Sequence, residues 1–495
     1  MKTCAVFLTL VALMAILSCI YSLPTSSIII GNTGLISANN TINATSGSPT
    51  DIQTAVNTAI SYSAAKGGNA TVYIPAGDWR CDEQPFQSYG TGGAISIDLE
   101  TLPSGAWLNI IGSYVNTTTT TQNGITLANV PSTILRSYTD DNGNLTVGIG
   151  MFGVVGSNAG SSNMNNTKSA NRHIRISGLT ILGYTTNDGT VSSHGSSGIA
   201  MEFVDGYLID HVAIDSHTSG GISSSYSKGV ISNCIITQYY HKVIGGVWGY
   251  GVGIYGNFGY YANGLGSPTW IQNVSQVIGK YDWQGITLNY TIPVNGDLTV
   301  KGTTSSISFT AGPVYIEYSQ FNMTRHCVAS SSYAYYVFRY NTVFGGVGLH
   351  AIDQHGGGWS GAANAYATRG TEVYNNTVDG NPAGGGVGTA TYSFGLRGGA
   401  SLIFNNTFKN TYTGIALTNE NYNSSDPNDV EYINDVWIWN NTFNNVITNL
   451  SVNSGQGITA SVNYFSDIPS PTTPAPPKPG YVPYAFPHPL TLATP

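Results

Sequence analysis

The chain has 495 residues, of which only 8% are charged, and its formal net charge is -8. Gly contributes 61 residues and Tyr 32, a composition that suits a β-rich protein outside the cell. The acidic balance argues against nucleic acid as a partner, because phosphate binding requires basic patches.

Residues 1–22 have the pattern of a secretory signal peptide. Lys2 precedes an apolar run from Ala5 to Ile20, and Ser22 is a candidate for the last residue before cleavage. A membrane anchor is the alternative, although the run is short for a membrane span. Lipid modification of Cys19 is a weaker alternative. No other segment is apolar enough to span a bilayer, so we expect a secreted or cell-surface protein.

The segment 23–79 is predicted to cap the N-terminal end of a solenoid. Residues 50–53 have the sequence of a capping box, apolar residues follow at helical spacing, and Gly67-Gly68 ends the predicted helix. A strand is expected over 70–77. A cap of this kind covers a sheet edge that would otherwise invite aggregation.

One short phrase recurs along the chain. It occurs at 337–343, 372–378, 402–408 and 437–443, each time as a predicted strand followed by an Asn-containing turn, and more loosely at 315–321. The phrases end on apolar residues that are 22 to 35 positions apart, namely Phe321, Val343, Val378, Phe408 and Phe443. Solenoid coils with variable loops explain this spacing. Weaker copies occur at 173–181, 207–214 and 230–236, whereas 245–312 breaks the rhythm. We therefore predict an all-β parallel β-helix over 80–465. A Pro-rich tail over 466–495 is expected to be extended, either packed along the solenoid or free as a tether.

The predicted helix, the strand 72–77 and the Asn-Asn-Thr-Phe coils together resemble the pectate-lyase-like right-handed parallel β-helix superfamily. The runs Arg325-His326, 352–356, 372–376 and 396–399 are similar to a group of secreted β-helix proteins classed as polysaccharide lyases. The resemblance implies a right-handed β-helix with a capping helix and a carbohydrate ligand. It leaves the reaction open, because the Asp-Asp motif of polygalacturonases and the tandem Asp calcium ligands of pectate lyases are not evident.

Stacking the coils predicts a group of ionisable residues on one outer face. Aligning Val328, Ile352, Leu396 and Leu417 as one inward column places Asp353 beside Arg397. His355 and Glu420 follow beside them, and Arg325 lies at the opposite end of the same face. Such a group is unusual in a chain with so few charges and therefore indicates a functional site. The alternative is a structural ladder of ion pairs.

These groups suit the β-elimination of a uronate-containing polysaccharide. Arg325 or Arg397 would clamp the sugar carboxylate, His355 would be the base, and Asp353 would orient His355 or Arg397. Two alternatives remain: hydrolysis by Asp353 and Glu420 as paired carboxylates, or a surface protein that binds glycans without catalysis.

Further substrate contacts are predicted on both strands of each coil. His326 and His350 are candidates, although their parity matches core positions and a structural role is the alternative. On the first strand of each coil, the alignment places Glu317 next to Arg339. The aromatic residues of the following coils either bind sugar rings by stacking or pack under a loop: Tyr374, Phe404 and Trp439. An Asn column at 341, 376, 406 and 441 is predicted to be structural. We assign no metal ligands, keep calcium as a candidate cofactor, and expect a monomer.

Overall fold

The structure is a computed structural model. It describes residues 40–81, 93–113, 118–122, 125–136, 150–156, 172–183, 197–202, 204–215, 220–225, 227–237, 250–255, 288–293, 306–311, 313–322, 325–331, 334–344, 350–356, 367–368, 370–380, 393–424, 432–468, 477–479 and 481–492. The predicted signal peptide lies outside the described residues. No helix among the described residues is both long and apolar enough to cross a membrane.

Three long parallel sheets wind around one apolar core. The first sheet contains the strands Thr41–Asn43, Ala70–Tyr73, Trp107–Ile111, His173–Ser177, Asp205–Asp210, Lys228–Ser232, Val314–Glu317, Tyr335–Arg339, Gly370–Tyr374, Gly399–Phe404, Ile433–Trp439 and Tyr464–Ser466. The second contains Gly77–Arg80, Thr133–Arg136, Thr180–Leu182, Ala213–Asp215, Ile235–Thr237, Gln320–Asn322, Thr342–Phe344, Thr377–Asp379, Thr407–Lys409 and Thr442–Asn444.

The third sheet contains Gly93–Asp98, Gly150–Val155, Ser197–Glu202, Gly220–Ser225, Tyr250–Tyr255, His326–Ser331, His350–Gln354, Phe394–Leu396, Thr413–Leu417 and Thr448–Val452. Each coil contributes one strand to each sheet in turn. Two antiparallel pairs stand outside this pattern: Thr118–Gln122 with Ile125–Val130, and Leu288–Pro293 with Ser306–Ala311. A short 3-10 helix spans Ser454–Gln456, and a helical turn spans Pro489–Leu492. The chain is a right-handed parallel β-helix, as predicted.

The repeated phrase forms two strands joined by a turn. Each copy supplies a first-sheet strand, a residue with positive φ such as Asn375 (57°) or Asn405 (56°), and then a second-sheet strand. Asn adopts this left-handed conformation more readily than most residues do. The apolar residues that end the phrases stack in register; the first four lie in the core and the last packs against it: Phe321, Val343, Val378, Phe408 and Phe443.

The Asn residue after each turn forms a ladder through the stack. Asn376 accepts a hydrogen bond from the backbone N–H of Asn341 at 2.9 Å and donates to the carbonyl of Phe338 at 2.8 Å. Asn406 and Asn441 repeat this arrangement in the following coils. The predicted structural role of the column is therefore confirmed.

A helix, α1 (Pro49–Lys66), covers the N-terminal end of the core. Its buried side chains include the predicted apolar stripe, namely Ile52, Ala55, Val56, Ala59 and Ile60. The predicted capping box is misplaced by two residues, because Ser48 is the N-cap and accepts a hydrogen bond from the N–H of Asp51. Gln53 extends the cap, since its side-chain amide exchanges two 2.8 Å hydrogen bonds with the backbone of Ser96 at the sheet edge.

Within the described part of the segment 245–312, one strand belongs to the regular coils. Tyr250–Tyr255 pairs with Gly220–Ser225 on one side and with His326–Ser331 on the other. Cys81, Cys234 and Cys327 are buried in the apolar core.

The Asn ladder yields a matched pair of substitutions. We expect Asn376→Ala to lower the free energy of unfolding by about 1–3 kcal/mol, because it leaves buried backbone groups without partners. Asn375→Gly should change it little, since Gly tolerates the same positive φ. Denaturant unfolding followed by circular dichroism measures both, and equal losses in the two variants would contradict the ladder's role.

Candidate functional site

The outer face of the third sheet carries ionisable side chains from successive coils. Asp353 lies within the strand His350–Gln354 and His355 follows it, while Arg397 and Glu420 lie just after the next two strands. Backbone hydrogen bonds hold these turns together: Arg397 N donates to the Gln354 carbonyl at 2.8 Å, and Glu420 N donates to the Arg397 carbonyl at 2.9 Å. The predicted residues 353, 355, 397 and 420 thus meet in one cluster.

The guanidinium of Arg397 is the centre of the cluster. Its Nε and Nη2 atoms donate to the two carboxylate oxygens of Asp353 at 3.0 and 2.9 Å. Its Nη1 atom donates to Oε1 of Glu420. Both carboxylates therefore occupy the guanidinium, and Arg397 acts mainly as a bridge between coils.

His355 lies between the same two carboxylates. Its Nε2 atom is 3.1 Å from Oδ2 of Asp353, and its Nδ1 atom is 3.2 Å from Oε2 of Glu420. Burial by itself lowers the pKa of His355, but the hydrogen bonds to Asp353 and Glu420 outweigh burial and raise the pKa above 6.5. Burial likewise opposes ionisation of Asp353, yet its imidazole neighbours, led by His326, hold its pKa well below 3.8.

The predicted register is wrong by two residues at one step. Asp353 pairs with Gly395, not with Arg397, and Ile352 pairs with Phe394, not with Leu396. The backbone N–H groups of Ala351 and Ile352 both donate to the Ser393 carbonyl, a bulge that a strictly alternating strand lacks. Arg397 reaches Asp353 because its long side chain extends back across the coil.

His326 and His350 face the cluster and not the core. Nε2 of His326 is 3.3 Å from Oδ2 of Asp353, and Nδ1 of His350 is 3.6 Å from Oδ1. The two imidazoles stack with ring centroids 5.1 Å apart. Asp353 is thus surrounded by three imidazoles and one guanidinium. We refer to His326, His350, Asp353, His355, Arg397 and Glu420 as the third-sheet cluster.

Strict alternation along the strand predicts that His326 and His350 point into the core, but both point outward. The reason is that two consecutive residues after each histidine point inward. Cys327 and Val328 both belong to the apolar core, and so do Ala351 and Ile352. The break in alternation turns the preceding histidine outward. It also brings three residues of the described chain, His326, His350 and Asp353, close enough to offer ligand atoms within 4.8 Å of one another, although no metal ligands were assigned from the sequence.

Tyr250 is a neighbour of the cluster that the sequence analysis missed. It pairs in register with His326, and the two rings lie 5.3 Å apart. The guanidinium carbon of Arg325 lies 5.8 Å from the centre of the Tyr250 ring, which places Arg325 beside Tyr250, next to the His326 side of the cluster. The sequence does contain a pattern that would have identified Tyr250. Tyr250-Gly251-Val252 and His350-Ala351-Ile352 both place a polar aromatic residue before a small residue and a β-branched residue.

Glu317, Arg339 and Trp439 lie elsewhere, on the outer face of the first sheet. Residues 481–492, which we call the C-terminal segment, pack over this face. The side chains of Arg339 and Glu317 are both 0% exposed and form a 2.8 Å ion pair. Substrate cannot reach them under this cover, which contradicts their predicted substrate-binding role.

The C-terminal segment binds this face through specific hydrogen bonds. Arg339 donates to the carbonyls of Tyr484 and Ala485 at 3.0 and 2.9 Å, and Glu317 accepts from the N–H of His488 at 3.0 Å. Trp439 stacks on Phe404 and contacts the ring of Tyr481 edge-on. The aromatic column is therefore packing under a covering segment, the alternative left open by the sequence.

Comparisons with known proteins found similar solved structures only. The sequence matches no protein-family model and no curated protein. Among solved structures, the chain is similar to PfbA, a surface adhesin of Streptococcus pneumoniae, with 14% identity, coverage of 85% of this chain and 82% of that chain, and a TM-score of 0.39. It is also similar to an alginate lyase from Paenibacillus sp. str. FPU-7 (13% identity, 76% and 98% coverage, TM-score 0.36). A third similar structure is the catalytic domain of a GH87 alpha-1,3-glucanase (13% identity, 86% and 67% coverage, TM-score 0.38).

Gly356 is required where two turns of the cluster meet. A Cβ atom at this position would lie 2.3 Å from the Arg397 carbonyl oxygen and 2.9 Å from Cβ of Glu420. We expect Gly356→Ala to destabilise the protein by about 1–3 kcal/mol through overpacking. Gly455→Ala is the control, because its nearest neighbour is 3.5 Å away. Thermal unfolding compares the two, and an unchanged midpoint for Gly356→Ala would show that the turns are not tightly packed.

Glu372 should make the attachment of the C-terminal segment depend on pH. Its carboxylate accepts hydrogen bonds from Tyr335 and Tyr481 at 2.6 and 2.5 Å, and burial raises its pKa from 4.5 to about 7. Because the folded state holds this proton more tightly than the unfolded chain, the stability that it contributes is full below pH 4.5 and is lost as the pH rises through about 7.

We expect the free energy of unfolding to fall by about 3 kcal/mol over this range through Glu372 alone. Glu372→Gln, which resembles the protonated acid, should lack this component. Unfolding measured for both proteins across the range provides the test, and parallel pH profiles would contradict it.

Proposed function

We propose that this protein is a carbohydrate-active enzyme that cleaves an acidic polysaccharide by β-elimination on the outer face of its third sheet. The observation that carries the proposal is the arrangement around Asp353, where three imidazoles and a guanidinium surround one carboxylate. Secretion stays a prediction that rests on residues 1–22.

The third sheet carries small residues on both sides of the cluster. One outward column of the third sheet has small side chains in successive coils before Asp353 and after it. In order along the sheet these residues are Ser96, Gly153, Ala200, Ser223, Gly253, Ala329, Asp353, Gly395, Ala416 and Ser451. Because neighbouring coils are about 4.8 Å apart, this column of small residues leads up to the cluster from both directions.

β-Elimination needs three groups that this face can supply. A cation must neutralise the sugar carboxylate, so that the C5 proton becomes acidic. A base then takes that proton, the C4–O bond breaks, a C4–C5 double bond forms, and the leaving oxygen gains a proton. No redox partner is needed.

The geometry changes which residue we assign to each role. Arg325 is the better carboxylate clamp, because Arg397 is held by Asp353 and Glu420. His355 in its neutral form takes the C5 proton, and the two carboxylates on either side of its ring then stabilise the charged imidazolium. Asp353 and Arg397 are positioning residues that fix the His355 ring.

Hydrolysis by paired carboxylates fits this geometry less well. A glycosidase needs one carboxyl group that holds a proton at working pH. Asp353 instead has a pKa well below its usual value, and both carboxylates are ion-paired with Arg397.

An assay on pectate, alginate and glycosaminoglycans tests the proposal. We expect the full chain to release products with the ultraviolet absorbance of an unsaturated uronate from one of these substrates. Arg325→Ala and His355→Ala should each lower the rate by at least about 100-fold, as expected when an acid–base group is removed.

His211→Gln is the matched control. His211 also contacts a carboxylate paired with an arginine, since it lies 2.8 Å from Asp210, which binds Arg175, but it belongs to the first sheet. This variant should keep the wild-type rate. New reducing ends without ultraviolet absorbance would indicate a hydrolase, and glycan binding without any product would indicate a non-catalytic binding protein; either result overturns the proposed elimination.

A further inference from the structure

We propose that His326, His350 and Asp353 form a binding site for a divalent first-row transition metal ion, for which Zn²⁺ is the natural probe. This inference does not depend on the polysaccharide or the reaction proposed above. It rests on the positions of three side chains from two neighbouring coils.

The donor atoms have separations that a metal ion can bridge. Nε2 of His326 and Nδ1 of His350 lie 3.3 and 3.6 Å from the oxygens of Asp353. Two ligand atoms on a tetrahedral Zn²⁺ with bonds of about 2.1 Å are roughly 3.4 Å apart. All three donors fall within 4.8 Å of one another, so small rotations of the imidazoles bring them to bonding distance.

The hydrogen bond of His326 directs its ligand atom toward Asp353. Nδ1 of His326 lies 3.2 Å from the carbonyl oxygen of His350, an acceptor, so Nδ1 carries the proton. Nε2, the other ring nitrogen, is the atom that faces Asp353. With Nδ1 engaged by the carbonyl, Nε2 is the nitrogen that would bind a metal ion together with the Asp353 carboxylate.

The surroundings match the outer shell of known metal sites. A metal-binding histidine usually donates its second ring N–H to a carbonyl or carboxylate, and a metal-binding carboxylate is itself hydrogen-bonded. His326 donates to the His350 carbonyl, and Asp353 accepts two hydrogen bonds from Arg397. Both ligand types are therefore oriented before any ion binds.

The ligand types favour a transition metal over calcium. Imidazole nitrogens suit Zn²⁺ and its first-row neighbours, whereas Ca²⁺ takes six to eight oxygen ligands. The site offers one carboxylate and two nitrogens, which leaves an open position. If the proposed elimination is also correct, an ion there would supply positive charge for the sugar carboxylate.

Direct metal binding by the full chain tests the inference without a glycan. After removal of metals with a chelator, the wild-type protein should bind one equivalent of Zn²⁺ in a titration against a chromophoric chelator, and excess Ca²⁺ should not compete. Co²⁺ in its place should give visible absorption bands typical of nitrogen and oxygen ligands. His350→Gln should weaken Zn²⁺ binding by more than about 100-fold, because it removes a direct ligand.

His211→Gln is again the control and should bind Zn²⁺ like the wild type. Zn²⁺ should also raise the thermal midpoint of the wild type, since it binds only the folded chain. This measurement needs no variant, so it tests the site even if His350→Gln does not fold. Failure of the wild type to bind Zn²⁺, or equal affinity in wild type and His350→Gln, would overturn the site. Zn²⁺ binding without lyase activity would leave the metal site intact and disprove only the proposed reaction.

Discussion

Hydrogen bonding between successive coils is the constraint on which the rest of this structure depends. Each strand of the three sheets pairs with the strand one coil before and one coil after it, so the backbone of one coil fixes the position of every side chain in the next. Residues far apart in sequence thereby become neighbours about 4.8 Å apart. Asp353, Arg397 and Glu420 meet for this reason, although 23 to 44 residues separate the bonded pairs.

The fold could be predicted from the sequence because aligning the repeated phrases shows which residues stack on one another in successive coils. The Asn turns, the inward apolar column and the stacking of Glu317 on Arg339 all follow from aligning the phrases. The third sheet was harder, because Cys327-Val328 and Ala351-Ile352 both place two consecutive residues in the core. Strict alternation cannot anticipate that break, so the histidines before these pairs were assigned to the wrong face. Packing of the tail along the solenoid was one of two alternatives from the sequence, but no local pattern indicated that it covers Arg339, more than 140 residues away.

Two clusters of the same chemistry have different surroundings. On the first sheet, Arg339 and Glu317 are fully buried and are completed by carbonyl and N–H groups of the C-terminal segment. On the third sheet, the Arg397 side chain is 23% exposed and its partners are other ionisable side chains. The charged groups of the first cluster are hydrogen-bonded to the C-terminal segment and hold that segment in place. The second has its polar groups directed at one another, and the side chains of His350, Arg397 and Glu420 keep part of their surface exposed.

Stability is a poor explanation for the third-sheet cluster. Burying charged groups costs free energy that their mutual attraction often fails to recover, and well-packed apolar residues would commonly be at least as stable. Here the carboxylate of Asp353 is 2% exposed among three imidazoles, in a chain with only 8% charged residues. The neighbouring coils show that the same positions accept Ala329 and Gly395, so the stacking of coils does not require a charge at 353. A carboxylate held there by Arg397 and faced by imidazoles is best explained by what it binds.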